Sequence, residues 1–176
     1  MSLTVNNTKN SLAGNAVPEV KITRNPKATK AVILMARQHP GETWSSYMME
    51  GFLKDLTGNK SKVNQWLLEN FVFIIYPMIN VDGVIYGNSR CDLTGMDLNR
   101  RWKDPSPNFH PHVNEIKRRI SQYSQKYDVK CCLDLHGHSK NYNVFCYSCK
   151  TNMYTCRLLP YLIQEANEKF YMPSCT

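Results

Sequence analysis

A chain of 176 residues with 42% hydrophobic residues, 9 prolines and 8 glycines has the length and apolar content of one globular domain, which excludes a disordered or fibrous protein. Its longest apolar runs, AVILMA and FVFIIYPMI, fall far short of the ~20 residues that cross a bilayer, and residues 1–30 lack the apolar stretch of a secretory signal, so no membrane partner is expected. The net charge of +8 suits either a nucleic-acid surface or attraction for an acidic substrate, and lysines and arginines spread along the chain favour the second.

Residues 1–17 are polar and read as a frayed lead-in. PEVKITR (18–24) reads as a short strand and ATKAVILMAR (28–37) as a buried one. In the segment that follows, Trp44, Met48 and Phe52 recur four apart with Tyr47 and Leu56 nearby, which predicts a helix ending near Gly58. SKVNQWLLEN predicts a second helix capped by Ser61. FVFIIYPM (71–78) is a continuous apolar run and reads as a central strand, followed by a turn at NVDG (80–83). Residues 84–110 carry no confident element, but a long connection dense in Asn, Asp, Arg and Trp points to function. Val113, Ile116, Ile120, Tyr123 and Tyr127 predict an amphipathic helix with Lys117, Arg118 and Arg119 on its solvated face. VKCCLDLHG (129–137) predicts a third buried strand and NVFCYSC (143–149) a fourth, with a last helix kinked or delayed by Pro160. The expected fold class is therefore α/β, a mixed, largely parallel sheet flanked by helices, with ligand sites at strand C-terminal ends. Seven cysteines, an odd number, suggest reduced thiols and a cytoplasmic location. Cys146-Tyr-Ser-Cys149 has CxxC form, but on a strand its two side chains point to opposite faces, which suits neither zinc nor a disulfide.

Polar residues collect where strands end. His39 and Glu42 lie three apart across a Pro-Gly bend after the second strand, and His136 ends LDLH. Two nearby ligands plus a distant third is the layout of a catalytic zinc site, in which zinc takes imidazole and carboxylate ligands at about 2.0–2.2 Å and keeps a position open. Such a metal polarises a carbonyl and acidifies water. His138 competes with His136 for the third position, while His110 and His112, at a helix entrance, suit capping or surface roles.

The motifs AGNAVPEVKIT (13–23), ARQHPGE (36–42), PMINVDGVIYGNSRC (77–91), TGMDLNRRW (94–102) and CCLDLHGHSKNYNVFCYSC (131–149) span nearly the whole chain. Together they resemble the M14 zinc carboxypeptidases, and within them the cytosolic carboxypeptidases, which remove glutamates from tubulin and other acidic C-terminal tails. The resemblance implies that His39, Glu42 and His136, rather than His138, bind one Zn2+; two histidines and a glutamate are the established ligands of carboxypeptidase A. It implies that Asp97 orients the first histidine. Arg90 matches the arginine that stabilises the oxyanion of the scissile carbonyl, and Asn99 and Arg100 match the pair that grips the substrate's terminal carboxylate. Chemistry agrees: a guanidinium meets a carboxylate through two parallel charge-assisted bonds, and a hydrolase needs fixed positive charge where the tetrahedral oxygen forms. Arg101 matches no role.

Val81 stands where the usual NPDG turn has proline, a change of little expected effect because Asp82-Gly83 still turns. The resemblance also implies that the general-base glutamate and a closing tyrosine follow Thr176. Residues 1–176 are thus expected to form a single partial catalytic domain, truncated on its C-terminal side, with little or no turnover of its own and an exposed sheet edge. Alternatives are an aspartoacylase-like zinc amidohydrolase and a non-catalytic pseudoenzyme that holds acidic C-termini.

Overall fold

The computed structural model describes residues 1–148 and 153–175. They form two compact units, Met1–Gly137 and His138–Thr176. The first unit holds five strands: β1 (Ser2–Asn7), β2 (Pro18–Thr23), β3 (Lys30–Ala36), β4 (Phe71–Tyr76) and β5 (Asp128–Leu135). They form one mixed sheet in the order β1-β2-β4-β3-β5. The β1–β2 and β2–β4 pairings are antiparallel, while β3 is parallel to both β4 and β5.

The continuous apolar runs have a direct cause. Along β3, Ala31, Ile33 and Met35 join one core cluster with Val72, Ile74 and Tyr76 of β4, and against it pack Val113 and Ile116 of helix α4 (Pro111–Lys126). Leu34 and Ala36, with Phe73 and Ile75, face a second cluster with Met49 and Leu56 of helix α1 (Thr43–Gly58) and Leu68 of helix α2 (Lys62–Asn70). Both faces of β3 and β4 are covered, so neither strand needs polar alternation. Ser61 caps α2 as its sequence predicts, its side chain accepting from the Asn64 N–H.

Several expectations are corrected. Residues 2–7 are not frayed: β1 forms a full ladder with β2 although every residue in it is exposed, so backbone bonds rather than burial hold it. In α1 the predicted stripe holds only in its second half: Leu56 is buried and Phe52 packs against the second cluster, whereas Trp44, Tyr47 and Met48 are exposed and Ser45 and Met49, one residue round the helix from Trp44 and Met48, are buried instead. The NVDG segment is more than a turn; Asn80 caps a short helix α3 (Val81–Ile85), its side chain accepting from the Gly83 N–H. Val81 takes the first helical position, which proline also suits because that N–H has no partner inside the helix. β5 is half-exposed rather than buried, because it stands at the sheet's edge and turns Lys130 and Cys132 to solvent.

In the second unit, residues 143–148 make a single bridge among the described residues, Val144 to Phe170, in place of the expected strand. His138, Phe145 and Tyr147 instead stack edge-on, with ring centroids 5.2–6.5 Å apart. Cys149, and with it half of the CxxC, lies outside the described residues. Helix α5 (Met153–Ala166) accommodates Pro160 in its interior.

Candidate metal centre

The parallel strands β4, β3 and β5 end side by side, and each delivers part of the site: Asn80 after β4, His39 and Glu42 after β3, His136 after β5. The β3–β4 connection, with α1 and α2, and the β4–β5 connection, with α4, cover opposite faces, which opens a crevice at the strand ends. The loop after β3 is tightly held. Arg37 adopts a left-handed φ of 59°, and its side chain donates to the Pro40 carbonyl (2.8 Å) and to Ser46 Oγ (2.7 Å). Gly41 leaves room for the Ser89 carbonyl, which a Cβ would approach to 2.7 Å. Glu42 then stands at the start of α1, free of any capping bond.

These constraints bring three of the expected residues together. One donor atom from each of His39, Glu42 and His136 lies within 4.8 Å of the other two. His39 Nδ1 is 2.8 Å from Glu42 Oε1, His136 Nδ1 is 3.0 Å from Glu42 Oε2, and the two Nδ1 atoms are 3.2 Å apart. Each ring's far nitrogen meets a carboxylate: His39 Nε2 meets Asp97 Oδ1 at 3.0 Å, and His136 Nε2 meets Asp134 Oδ2 at 2.6 Å. Those carboxylates accept the Nε2–H protons, so both Nδ1 lone pairs point at the carboxylate of Glu42. Three electron-rich atoms at such separations repel unless a proton or a metal cation stands among them. Two ligands bound to one tetrahedral zinc stand about 3.3 Å apart, given bonds of 2.0–2.1 Å. The residues fit the ion.

Nearby charges act on both the carboxylate and the second imidazole. Burial disfavours the ionised form of Glu42, yet the Gly137 N–H and the imidazoles of His39 and His136 outweigh it and hold its carboxyl below the usual range. Burial likewise opposes a charge on His136, but Asp134 and Glu42 push the imidazole upward. Gly137 is required here, since a Cβ on it would come within 2.6 Å of Trp44 Cδ1 and 3.3 Å of Glu42 Cβ.

Asp97 bridges to the next expected residue. Its Oδ2 accepts from Arg90 Nε (2.9 Å) and Nη2 (2.7 Å), while Arg90 Nη1 lies 3.9 Å from Glu42 Oε1. Burial raises the carboxyl of Asp97 less than His39 and Arg90 lower it, so it is held ionised. Asp97 also caps the 3-10 turn Leu98–Arg100 by accepting from the Asn99 N–H. Arg100 is exposed, and among the described residues its guanidinium donates only to the Asn99 carbonyl, at 3.4 Å. Arg101 turns instead to Met96 Sδ.

The other histidines part from this group. His138 lies in the second unit, where its Nδ1 accepts from the Lys140 and Asn141 N–H groups. His110 and His112 are neither caps nor surface groups: both are buried, and His110 at the start of α4 makes no side-chain capping bond. Sequence reasoning missed Asp134, although a D-x-H at a strand end puts both side chains on one face. It also missed Gln38, for which adjacency to His39 is the sole signal.

A mixed α/β sheet with two imidazoles and a carboxylate converging at its parallel strand ends defines a metallohydrolase class. Within that class, the chain belongs to the zinc carboxypeptidase family, Peptidase M14, which matches residues 3–170. It is similar to human cytosolic carboxypeptidase 1, with 37% identity over 94% of this chain and 16% of the relative. Against mouse cytosolic carboxypeptidase 2 the identity is 41%, over 94% of this chain and 20% of the relative. A metallo-carboxypeptidase structure from Burkholderia cenocepacia superposes with a TM-score of 0.85 at 25% identity, covering 97% of this chain and 47% of that one. One from Pseudomonas aeruginosa, in complex with (2-guanidinoethylmercapto)succinic acid, gives 0.78 at 31% identity, covering 94% and 42%. The chain thus spans a fifth or less of these curated relatives and under half of these structures.

Proposed function

We propose that this chain carries the zinc-binding and carboxylate-recognition machinery of a carboxypeptidase that removes C-terminal residues, glutamate above all, from acidic, tubulin-like protein tails in the cytoplasm. The observation that carries the reading is the convergence of His39, Glu42 and His136, each with one donor atom within 4.8 Å of the others. These three would hold one Zn2+, with Asp97 fixing the His39 ring. Zinc bound there supplies Lewis acidity to the scissile carbonyl. Arg90 provides fixed positive charge for the oxygen that becomes anionic; its half-exposed guanidinium, 3.9 Å from Glu42, supports this role. Asn99 and Arg100 receive the peptide's free carboxylate, a reading supported by the exposure of Arg100 and its single weak partner. A net charge of +8 favours acidic tails, and the succinic acid compound bound to the P. aeruginosa protein is consistent with carboxylate recognition.

The test is zinc uptake and peptide binding by the purified chain. One equivalent of zinc is expected, lost in His136→Ala, together with binding of a glutamate-terminated tail peptide as the free acid and not as the C-terminal amide. Substoichiometric zinc, or equal binding of acid and amide, contradicts the reading. Robust release of free glutamate from the bound peptide, followed by mass spectrometry, contradicts the expectation that these residues alone turn over little or no substrate.

A further inference from the structure

Behind His136 lies a chain of hydrogen bonds that the proposed chemistry does not use. His136 Nε2 meets Asp134 Oδ2 at 2.6 Å. The same oxygen accepts from Gln38 Nε2, and Gln38 Oε1 accepts from Trp102 Nε1 at 2.6 Å. Gln38 is 1% exposed, and its backbone carbonyl is anchored by Asn80 Nδ2 at 3.1 Å. Trp102 packs against the core cluster that contains Val17, Ile79, Leu98 and Val113.

The order of donors and acceptors in this chain is fixed. An indole N–H can only donate and an ionised carboxylate can only accept. The Gln38 amide therefore has one orientation, its oxygen to Trp102 and its NH2 to Asp134. Asp134 Oδ1 is buried without a partner among the described residues, so both bonds fall on Oδ2. A carboxylate held by one oxygen can turn about its Cβ–Cγ bond unless a second contact pins that oxygen. Gln38 is that contact.

We propose that Gln38 is a positioning residue of the metal centre, locking the Asp134 carboxylate, and through it the His136 ring, to the packed indole of Trp102. The inference rests on the zinc reading above and adds to it the two residues that fix one ligand's orientation and tautomer. Losing such an outer contact weakens a metal site by about 10- to 100-fold. The lock also explains why a fully buried amide sits one residue before a ligand: each end of it has a hydrogen-bond partner, the condition under which a buried polar group persists.

The experiment is zinc affinity of the full chain, measured by competition with a chromophoric chelator, for wild type, Gln38→Leu and Trp102→Phe. Cobalt absorption spectra and melting of the metal-free protein are recorded alongside. Gln38→Leu is expected to bind zinc about 10- to 100-fold more weakly and to shift the visible cobalt bands. Trp102→Phe keeps an aromatic ring in the core and removes only the N–H that orients the amide. It is expected to move affinity and spectrum in the same direction, with metal-free melting close to wild type. Unchanged affinity and cobalt spectrum in both variants, with wild type binding zinc, overturns the positioning role and leaves the zinc reading standing. A wild-type chain that takes up no zinc overturns both.

Discussion

Gly83 shows how little room the site loop has. A Cβ at this position would lie 2.4 Å from Pro40 Cγ and 2.7 Å from Asn80 Oδ1. Pro40 follows His39 directly, and Asn80 both caps α3 and holds the Gln38 carbonyl. An alanine must therefore push the His-Pro-Gly bend outward or break the cap, and either displaces a proposed ligand. Overpacking of this kind costs about 1–3 kcal/mol. Gly83→Ala is expected to lower the urea midpoint correspondingly and to weaken zinc binding, both measured on the purified protein; unchanged zinc affinity would mean that the bend absorbs the methyl group. The same contact gives the Asp-Gly pair of NVDG a second reason beyond turning the chain. That reason is invisible in sequence, because Pro40 and Gly83 meet only after β3 and β4 have paired.

Elements were legible where one physical demand set their pattern. The amphipathic spacing of α4 is realised as read, with Val113 and Ile116 buried and Ile120, Tyr123 and Tyr127 packed behind them. The solvated face is less uniform: Arg119 reaches across to Glu19, which is fully buried and also accepts from Tyr76 and Tyr123. The first half of the α1 stripe misled because aromatic size is not burial; Trp44 and Tyr47 are large and exposed while Ser45 is buried, whereas Phe52 and Leu56 meet the core as read. Residues 84–110 resisted reading because local side-chain bonds rather than periodicity shape them. Asp92 Oδ1, for example, accepts from the Thr94 and Met96 N–H groups. The first turn of α4 carries a liability that spacing also hid. His112 is buried, and neither ring nitrogen has a partner among the described residues. Burial pushes its imidazole down to about 4, against the pull of Asp82 and Asp92 and with a small push from His110. Between the ordinary value of 6.5 and about 4, the unfolded chain binds a proton that the folded one refuses. This stabilisation is full above pH 6.5 and is lost as pH falls through that window, by about 3 kcal/mol at about 1.4 kcal/mol per pH unit. His112→Phe is expected to flatten the fall of the urea midpoint between pH 6.5 and 4; an identical slope in wild type and variant would assign the acid sensitivity to other groups.

At the scale of the whole molecule, the site is a product of topology. His39 and His136 are 97 residues apart in sequence and meet because β3 and β5 pair in parallel and end together. The sequence announced the histidines and the glutamate, but only the order β4-β3-β5 says which crevice they share. The chain as a whole carries 22 lysines and arginines against 14 acidic residues, and the exposed guanidinium of Arg90 lies 3.9 Å from Glu42 at the proposed metal position. Such a field acts over about a Debye length, ~10 Å at 0.1 M salt, and speeds the approach of an oppositely charged partner more than it slows departure. For a glutamate-rich tail peptide the association rate is expected to fall by about tenfold or more between 20 and 300 mM salt, with a smaller change in dissociation. Stopped-flow fluorescence with a labelled peptide measures both rates. A neutral peptide with the same free carboxylate separates the two contributions, since it keeps the terminal contact and lacks the long-range attraction. Its association should be nearly flat with salt. If the acidic and neutral peptides show the same salt dependence, the basic surface plays no part in gathering substrate, and recognition is confined to the residues that touch the peptide's end.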